Sequence, residues 1–149
     1  TYVWEHIDDK VANRFWAWIF WTQPYPLPEK LMGPQAGAFA RTAAGEDVDA
    51  GDDYAATNGT DDAFHAMCED YRASKGIDIE HDKADAHVKI DVPTLVIWGK
   101  QSNTGEFDYP TIWKNEVNEV SFLELDAGHF IVEEKPEEVL EATLSFFRI

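Results

Sequence analysis

Apolar side chains recur at Val3, Ile7, Val11, Phe15, Trp18 and Ile19, the spacing of one helical face. Trp16, Phe20 and Trp21 widen that face until the second half of the segment is apolar nearly all round. The pattern predicts a helix over residues 3–22 whose latter half is buried. The run "QPYPLPEK" then ends it, because its three prolines cannot donate and bias their predecessors to extended backbone. Pro28 before Glu29 reads as the first turn of a second helix, running to about Ala43 with an interruption at Gly33 and Pro34. Residues 45–60 are acidic and glycine-rich, with Val48 and Tyr54 their only large apolar side chains, and predict a solvated loop or a short helix. Thr60 or Asp61 caps a helix through Lys75 that carries Phe64, Met67, Cys68 and Tyr71 on one side and stops at Gly76. Residues 77–88 continue as a helical or irregular segment.

The character changes after Asp91. "PTLVIWG" is a continuous apolar run bounded by proline and glycine, the pattern of a strand buried on both faces of a parallel sheet. "DYPTIWKNEV" predicts a short helix and "VSFLELD" a second strand. Pro136 to Phe147 predicts a closing helix with Val139, Leu140, Leu144 and Phe147 inward. Strand, helix, strand, helix means parallel units, so the fold class is α/β: a mainly helical module, residues 1–90, followed by two βα units, residues 91–149. Small parallel sheets stay covered by helices and neighbouring strands, so either the helical module folds back over these two strands or another chain supplies more.

A hydrophobic content of 44% with 6 Trp, 9 Phe and 5 Tyr is that of a globular protein, despite the high charge. The net charge of −17, from 29 acidic against 12 basic residues, repels phosphate backbones and anionic lipid, so nucleic-acid and membrane partners are not expected. One cysteine, Cys68, cannot make an internal disulfide. No signal-like opening or membrane-length apolar run is present, and a cytoplasmic location is expected.

The chemistry-bearing candidate is His129, in "AGHF" directly after the second predicted strand, where Gly128 allows a sharp turn. An imidazole takes and returns a proton near neutral pH, but a catalytic one needs a nucleophile or an activated water and an orienting carboxylate. No G-x-[S/D/C]-x-G turn of the kind that presents a nucleophile occurs in the 149 residues. After the first strand, Ser102 stands three residues past Gly99, leaving Glu106 or Asp108 as imperfect carboxylate candidates. No metal-ligand spacing is found: His81 and His87 lie six apart, off a single helical face.

The segments "WIFWTQPYPLPEKLM", "HAMCEDYRA", "IDIEHDKAD", "PTLVIWG" and "AGHFIVEEKPEEVLEATLSFF" occur in one order over nearly the whole chain. Together they resemble the cap and C-terminal part of haloacetate (fluoroacetate) dehalogenases, a branch of the α/β-hydrolase superfamily. The resemblance implies a partial α/β-hydrolase fold, with residues 1–90 as a cap-like module. It implies that His129 activates the water that hydrolyses an ester formed on an aspartate nucleophile. It implies too that Trp18 and Tyr71 donate hydrogen bonds to the departing halide, since an indole N–H and a phenol O–H suit an acceptor that carries no proton. The residue before the cap tryptophan is commonly a histidine in that family, and here it is Ala17. The family's nucleophile and orienting aspartate precede its cap, and Thr1 and Tyr2 resemble residues shortly after that aspartate, so the back half of the enzyme is implied.

Two functions of different class follow: a hydrolase of the haloacetate dehalogenase type acting on a small haloacid once completed, or a catalytically silent truncated module that self-associates or binds a partner. An epoxide hydrolase relative is a third, which Trp18 argues against because two cap tyrosines generally serve that chemistry. No cofactor or metal is implied. A homo-oligomer or a complementing chain is expected, because the first strand and the aromatic-rich helix offer more apolar surface than a monomer leaves wet.

Overall fold

The computed structural model describes residues 2–42 and 48–148. The expected helix end at Ala43 and residues 45–47 of the acidic stretch lie outside the described residues. Two compact units make up the chain, Thr1–Ala84 and Asp85–Ile149. Among the described residues no helix is long and apolar enough to cross a membrane.

In the first unit, the single helix expected over residues 3–22 is three short ones: α1 (Tyr2–Glu5), α2 (Asp9–Arg14) and α3 (Trp16–Trp21). Asp8 causes the first break: its backbone is extended and its Oδ1 accepts the Val11 N–H at 2.8 Å, which starts a new helix. Phe15, at φ −105° and ψ 28°, causes the second. The latter half is not buried all round either. A helix of six residues packs on one side, so Phe15 and Trp21 are buried while Trp16 is 60% exposed.

Pro28 lies in the first turn of α4 (Leu27–Met32), and a 3-10 turn at Gly33–Gln35 separates it from α5 (Ala36–Arg41) where Pro34 interrupts the pattern. Helix α6 (Val48–Asn58) follows, and Arg41 pairs with Asp52 across from it. Helix α7 (Asp61–Lys75) has the predicted ends: Thr60 Oγ1 accepts the Ala63 N–H at 3.2 Å, and Gly76 is the C-cap. Phe64, Cys68 and Tyr71 share a face at helical spacing. The core of this unit is Trp21, Ala36, Phe64 and Cys68, flanked by Ala17, Trp18, Phe20, Met32, Met67 and Tyr71. Each large side chain so buried contributes roughly 1.5–3 kcal/mol. Helix α8 (Ile77–Asp85) closes the region.

In the second unit, β1 (Thr94–Gly99) and β2 (Val120–Leu125) pair in parallel, in register from Thr94↔Val120 to Gly99↔Leu125, with a further bridge at Ile90↔Val117. The crossover contains α9 (Tyr109–Glu116), capped by Asp108, whose Oδ1 accepts the Thr111 N–H at 3.1 Å. Two helices, α10 (Ile131–Glu134) and α11 (Pro136–Phe147), end the chain. Val96, Trp98, Val117, Leu125 and Ala127 are buried, while Leu95 and Ile97 on the alternate face of β1 are only half-buried. On α11, Val139 is half-buried, but Leu140 (58%), Leu144 (39%) and Phe147 (63%) are exposed, against the expected inward face. Periodicity identifies which face of a helix is apolar; it does not supply the surface that would cover it.

Candidate functional site

Trp18 and Tyr71 meet inside the first unit. Trp18 lies on α3 and Tyr71 on α7, and their ring centroids are 5.6 Å apart at 55°. Phe15 supports Trp18 from one side at 4.5 Å and Trp4 lies 6.3 Å from it. Trp4 is itself tied down: its Nε1 donates to Ser74 Oγ at 3.2 Å, and Ser74 Oγ donates to the Tyr71 carbonyl at 2.9 Å. Trp21, one turn after Trp18, also packs against the phenol, at 4.8 Å between ring centroids. Burial, helped by the charge of Asp70, pushes the Tyr71 pKa up, so the phenol keeps its proton as a donor. Among the described residues neither the Tyr71 hydroxyl nor Trp18 Nε1 has an acceptor, which leaves two donors at one aromatic contact.

His129 belongs to the second unit, in the bend after β2, and is exposed. The loop carrying it is fastened by its backbone to the end of β1. Lys100 N donates to the Leu125 carbonyl at 3.0 Å and Gln101 N to the Ala127 carbonyl at 2.9 Å. Gly99 lies so close beneath the loop that a Cβ there would stand 1.9 Å from the Gly128 carbonyl oxygen. Gly128 N donates to Glu134 Oε2 at 2.7 Å, which ties the turn to α10. The ring of His129 meets Phe130 edge-on at 5.1 Å and has no hydrogen-bond partner among the described residues. Asp126 is not its partner: Lys100 Nζ at 3.0 Å and Gln101 Nε2 at 2.6 Å hold that carboxylate and lower its pKa. Nor is Asp108, which caps α9.

A third cluster was invisible in the sequence. Glu29 on α4 receives Arg72 Nη1 on Oε1 at 2.9 Å, Arg72 Nη2 on Oε2 at 3.2 Å and the ring of His65 on Oε1 at 3.0 Å. Burial opposes the charge on Glu29, but the hydrogen bonds from Arg72 and His65 prevail and bring its pKa down to about 2. Tyr25 lies edge-on to His65 at 5.2 Å, and a cavity of about 740 Å³ is lined by Tyr25, Lys30, Asp61, Asp62, His65 and Glu69. Glu29, His65 and Glu69 are near enough together to hold a cation. The Arg72 guanidinium already bridges the two carboxylates, bonded to Glu69 at 2.6 Å as well as to Glu29, as in a structural ion-pair clamp. Glu29 and Arg72 both lie within quoted segments of the resemblance, but only folding brings residues 43 apart into contact.

No protein-family model matches the chain. It is 31% identical to a fluoroacetate dehalogenase of a Burkholderia species over an alignment of 157 residues, which takes in 98% of this chain and 52% of that protein. A solved structure from Nostoc sp PCC 7120 assigned to the α/β hydrolases is 34% identical and superposes with a TM-score of 0.88, covering 97% of this chain and 53% of that one. A Pseudomonas aeruginosa structure assigned as an epoxide hydrolase is 32% identical with a TM-score of 0.85, at 97% and 52% coverage. The chain spans about half the length of the relatives it matches. Its fold is part of an α/β-hydrolase fold, mostly helical with a two-stranded parallel sheet.

Proposed function

We propose that this chain, a homologue of fluoroacetate dehalogenase over about half of that protein's length, supplies the halide-binding and water-activating groups of a carbon–halogen hydrolysis. An aspartate carboxylate displaces halide from a small haloacid and forms an ester. Trp18 Nε1–H and Tyr71 O–H hydrogen-bond to the leaving halide as its charge develops. His129 then takes a proton from a water as that water adds to the ester carbonyl, which releases a hydroxy acid and regenerates the aspartate. The observation that carries this reading is the contact of Trp18 with Tyr71 at 5.6 Å, two donors without acceptors among the described residues, packed against Phe15 and Trp21. The nucleophile comes from a strand–elbow–helix segment for which these 149 residues contain no matching motif.

Co-expression of this chain with the first half of the Burkholderia relative tests the proposal through halide release from chloroacetate. The chain alone should release none. The complemented pair should be active, His129→Asn should halt it with a covalent adduct on the partner's aspartate visible by mass, and Trp18→Phe should slow it about 10–100-fold. An active pair indifferent to both substitutions refutes the assignment. Turnover of an epoxide with none of chloroacetate would move the reading to the epoxide hydrolase branch.

A second reading has its own support. The exposed Leu140, Leu144 and Phe147 and the two-stranded sheet favour a module that self-associates or binds a partner without catalysis.

A further inference from the structure

Gly128 stands directly before His129, and a residue without a Cβ can take nearly any backbone angle. Unrestrained, it would let the imidazole swing over a wide arc. The peptide unit joining Ala127 to Gly128 is instead held at both ends: its carbonyl accepts the Gln101 N–H at 2.9 Å, and its N–H donates to Glu134 Oε2 at 2.7 Å. The first hold is backbone from beyond the end of β1. The second is a side chain reaching back six residues from the last position of α10. An N–H donated to a carboxylate makes a shorter and stronger bond than one donated to a neutral oxygen. The carboxylate also lies against Gly128 itself, where a Cβ would stand 2.7 Å from Glu134 Oε1. The backbone N–H of Glu134 donates to the Phe130 carbonyl at 2.9 Å, so one residue grips the chain on both sides of His129.

We infer that Glu134 is the positioning residue for His129: its carboxylate fixes the peptide unit ahead of the imidazole and so sets where the ring stands. The inference rests on the reading of His129 as the group that activates water. Glu134 acts through the backbone and not on the reacting atoms. A base must stand within hydrogen-bond reach of the water it deprotonates, and a displacement of about 1 Å can cost a hundredfold in rate. Among the described residues the His129 ring has its edge-on contact with Phe130, at 5.1 Å, and no hydrogen bond to hold it. Its place is therefore set by the chain on either side, and Glu134 is the side chain that secures both.

The test is amide hydrogen exchange and ¹⁵N relaxation on the full chain, wild type against Glu134→Ala and Glu134→Gln. In Glu134→Ala the Gly128 amide should exchange roughly tenfold faster or more, and the order parameters of Gly128 and His129 should fall, while the amides of β1 and β2 keep their protection. Glu134→Gln, whose side-chain oxygen still accepts, should restore most of both. Gly128 and His129 as protected and ordered in Glu134→Ala as in the wild type would overturn the inference. Protection lost equally along both strands would overturn it too, as the mark of a general loss of stability. Where complementation with the Burkholderia half yields activity, Glu134→Ala should release its first halide at the wild-type rate and then turn over about 10–100-fold more slowly, because ester formation does not use His129. A first halide slowed as much as the steady state would count against the role. A wild-type pair that releases no halide would sink the hydrolase reading instead, and the exchange data on the chain alone would still decide whether Glu134 holds the turn.

Discussion

Arg72 holds Glu29 in a two-pronged grip, with Nη1 on Oε1 at 2.9 Å and Nη2 on Oε2 at 3.2 Å, while its Nε donates to the Gln23 carbonyl at 2.9 Å. One side chain thereby joins α7, α4 and the chain leaving α3. Arg72→Ala should cost roughly 2–4 kcal/mol, because it leaves a mostly buried carboxylate with His65 as its remaining side-chain partner. Arg72→Lys should recover less than half of that, since an ammonium cannot reproduce the fork. Urea midpoints of the variants check both.

The same carboxylate sets an acid limit. Its pKa is about 2 in the fold against an ordinary 4.5, so the unfolded chain takes up the proton first as pH falls. The contribution of Glu29 is fully present above about pH 4.5 and is lost progressively as the pH falls toward 2. Arg72→Ala should flatten the wild-type loss of stability across that window in urea titrations.

Cys68 is fully buried, and burial, with the nearby Glu29 charge, pushes its pKa up to about 11. The thiol should resist an aromatic disulfide reagent at pH 8 in the folded chain and react within seconds once denaturant is added. Rapid modification without denaturant would show that the core around Phe64 opens easily.

Gly99 admits no side chain, since a Cβ would lie 1.9 Å from the Gly128 carbonyl oxygen and 2.5 Å from that of Ala127. Gly99→Ala should push the His129 loop off the end of β1 and destabilise the second unit by about 2–4 kcal/mol. If the proposed complementation succeeds, it should lower turnover while leaving the contact of Trp18 with Tyr71 untouched. Chemical shifts for Gly128 and His129 identical to those of the wild type would contradict this.

The apolar stripe on α11 is expected to mediate association. Sedimentation should give more than one chain per particle, and Leu144→Glu should move the population toward monomer, as charge on that stripe opposes its burial. A compact wild-type monomer at all concentrations would rule this out.

Elements whose ends carry their own chemistry were legible in the sequence. Thr60 and Gly76 bound α7, Pro136 opens α11, and the apolar runs at 94–99 and 120–125 are the two strands. The first helix was misread because its apolar period continues unbroken through Asp8, whose capping bond to Val11 depends on backbone geometry that periodicity does not encode. Of the candidate site, the contact of Trp18 with Tyr71 followed from a resemblance spread over the chain. The state of Trp21 did not: a tryptophan in an apolar segment reads as packing, and only the structure shows that its buried Nε1 has no hydrogen-bond partner among the described residues. The Glu29–Arg72 clamp joins segments whose separation no local pattern spans.

Both strands of the small sheet have one margin to which no further strand is paired among the described residues. Those rows of backbone groups would accept a stray strand from any molecule that drifted alongside, so crowding should invite precipitation. A charge of −17 keeps like molecules apart and holds that tendency in check. Concentrated salt screens the repulsion while strengthening apolar burial, so a protein well behaved in dilute buffer should cloud as sulfate is added.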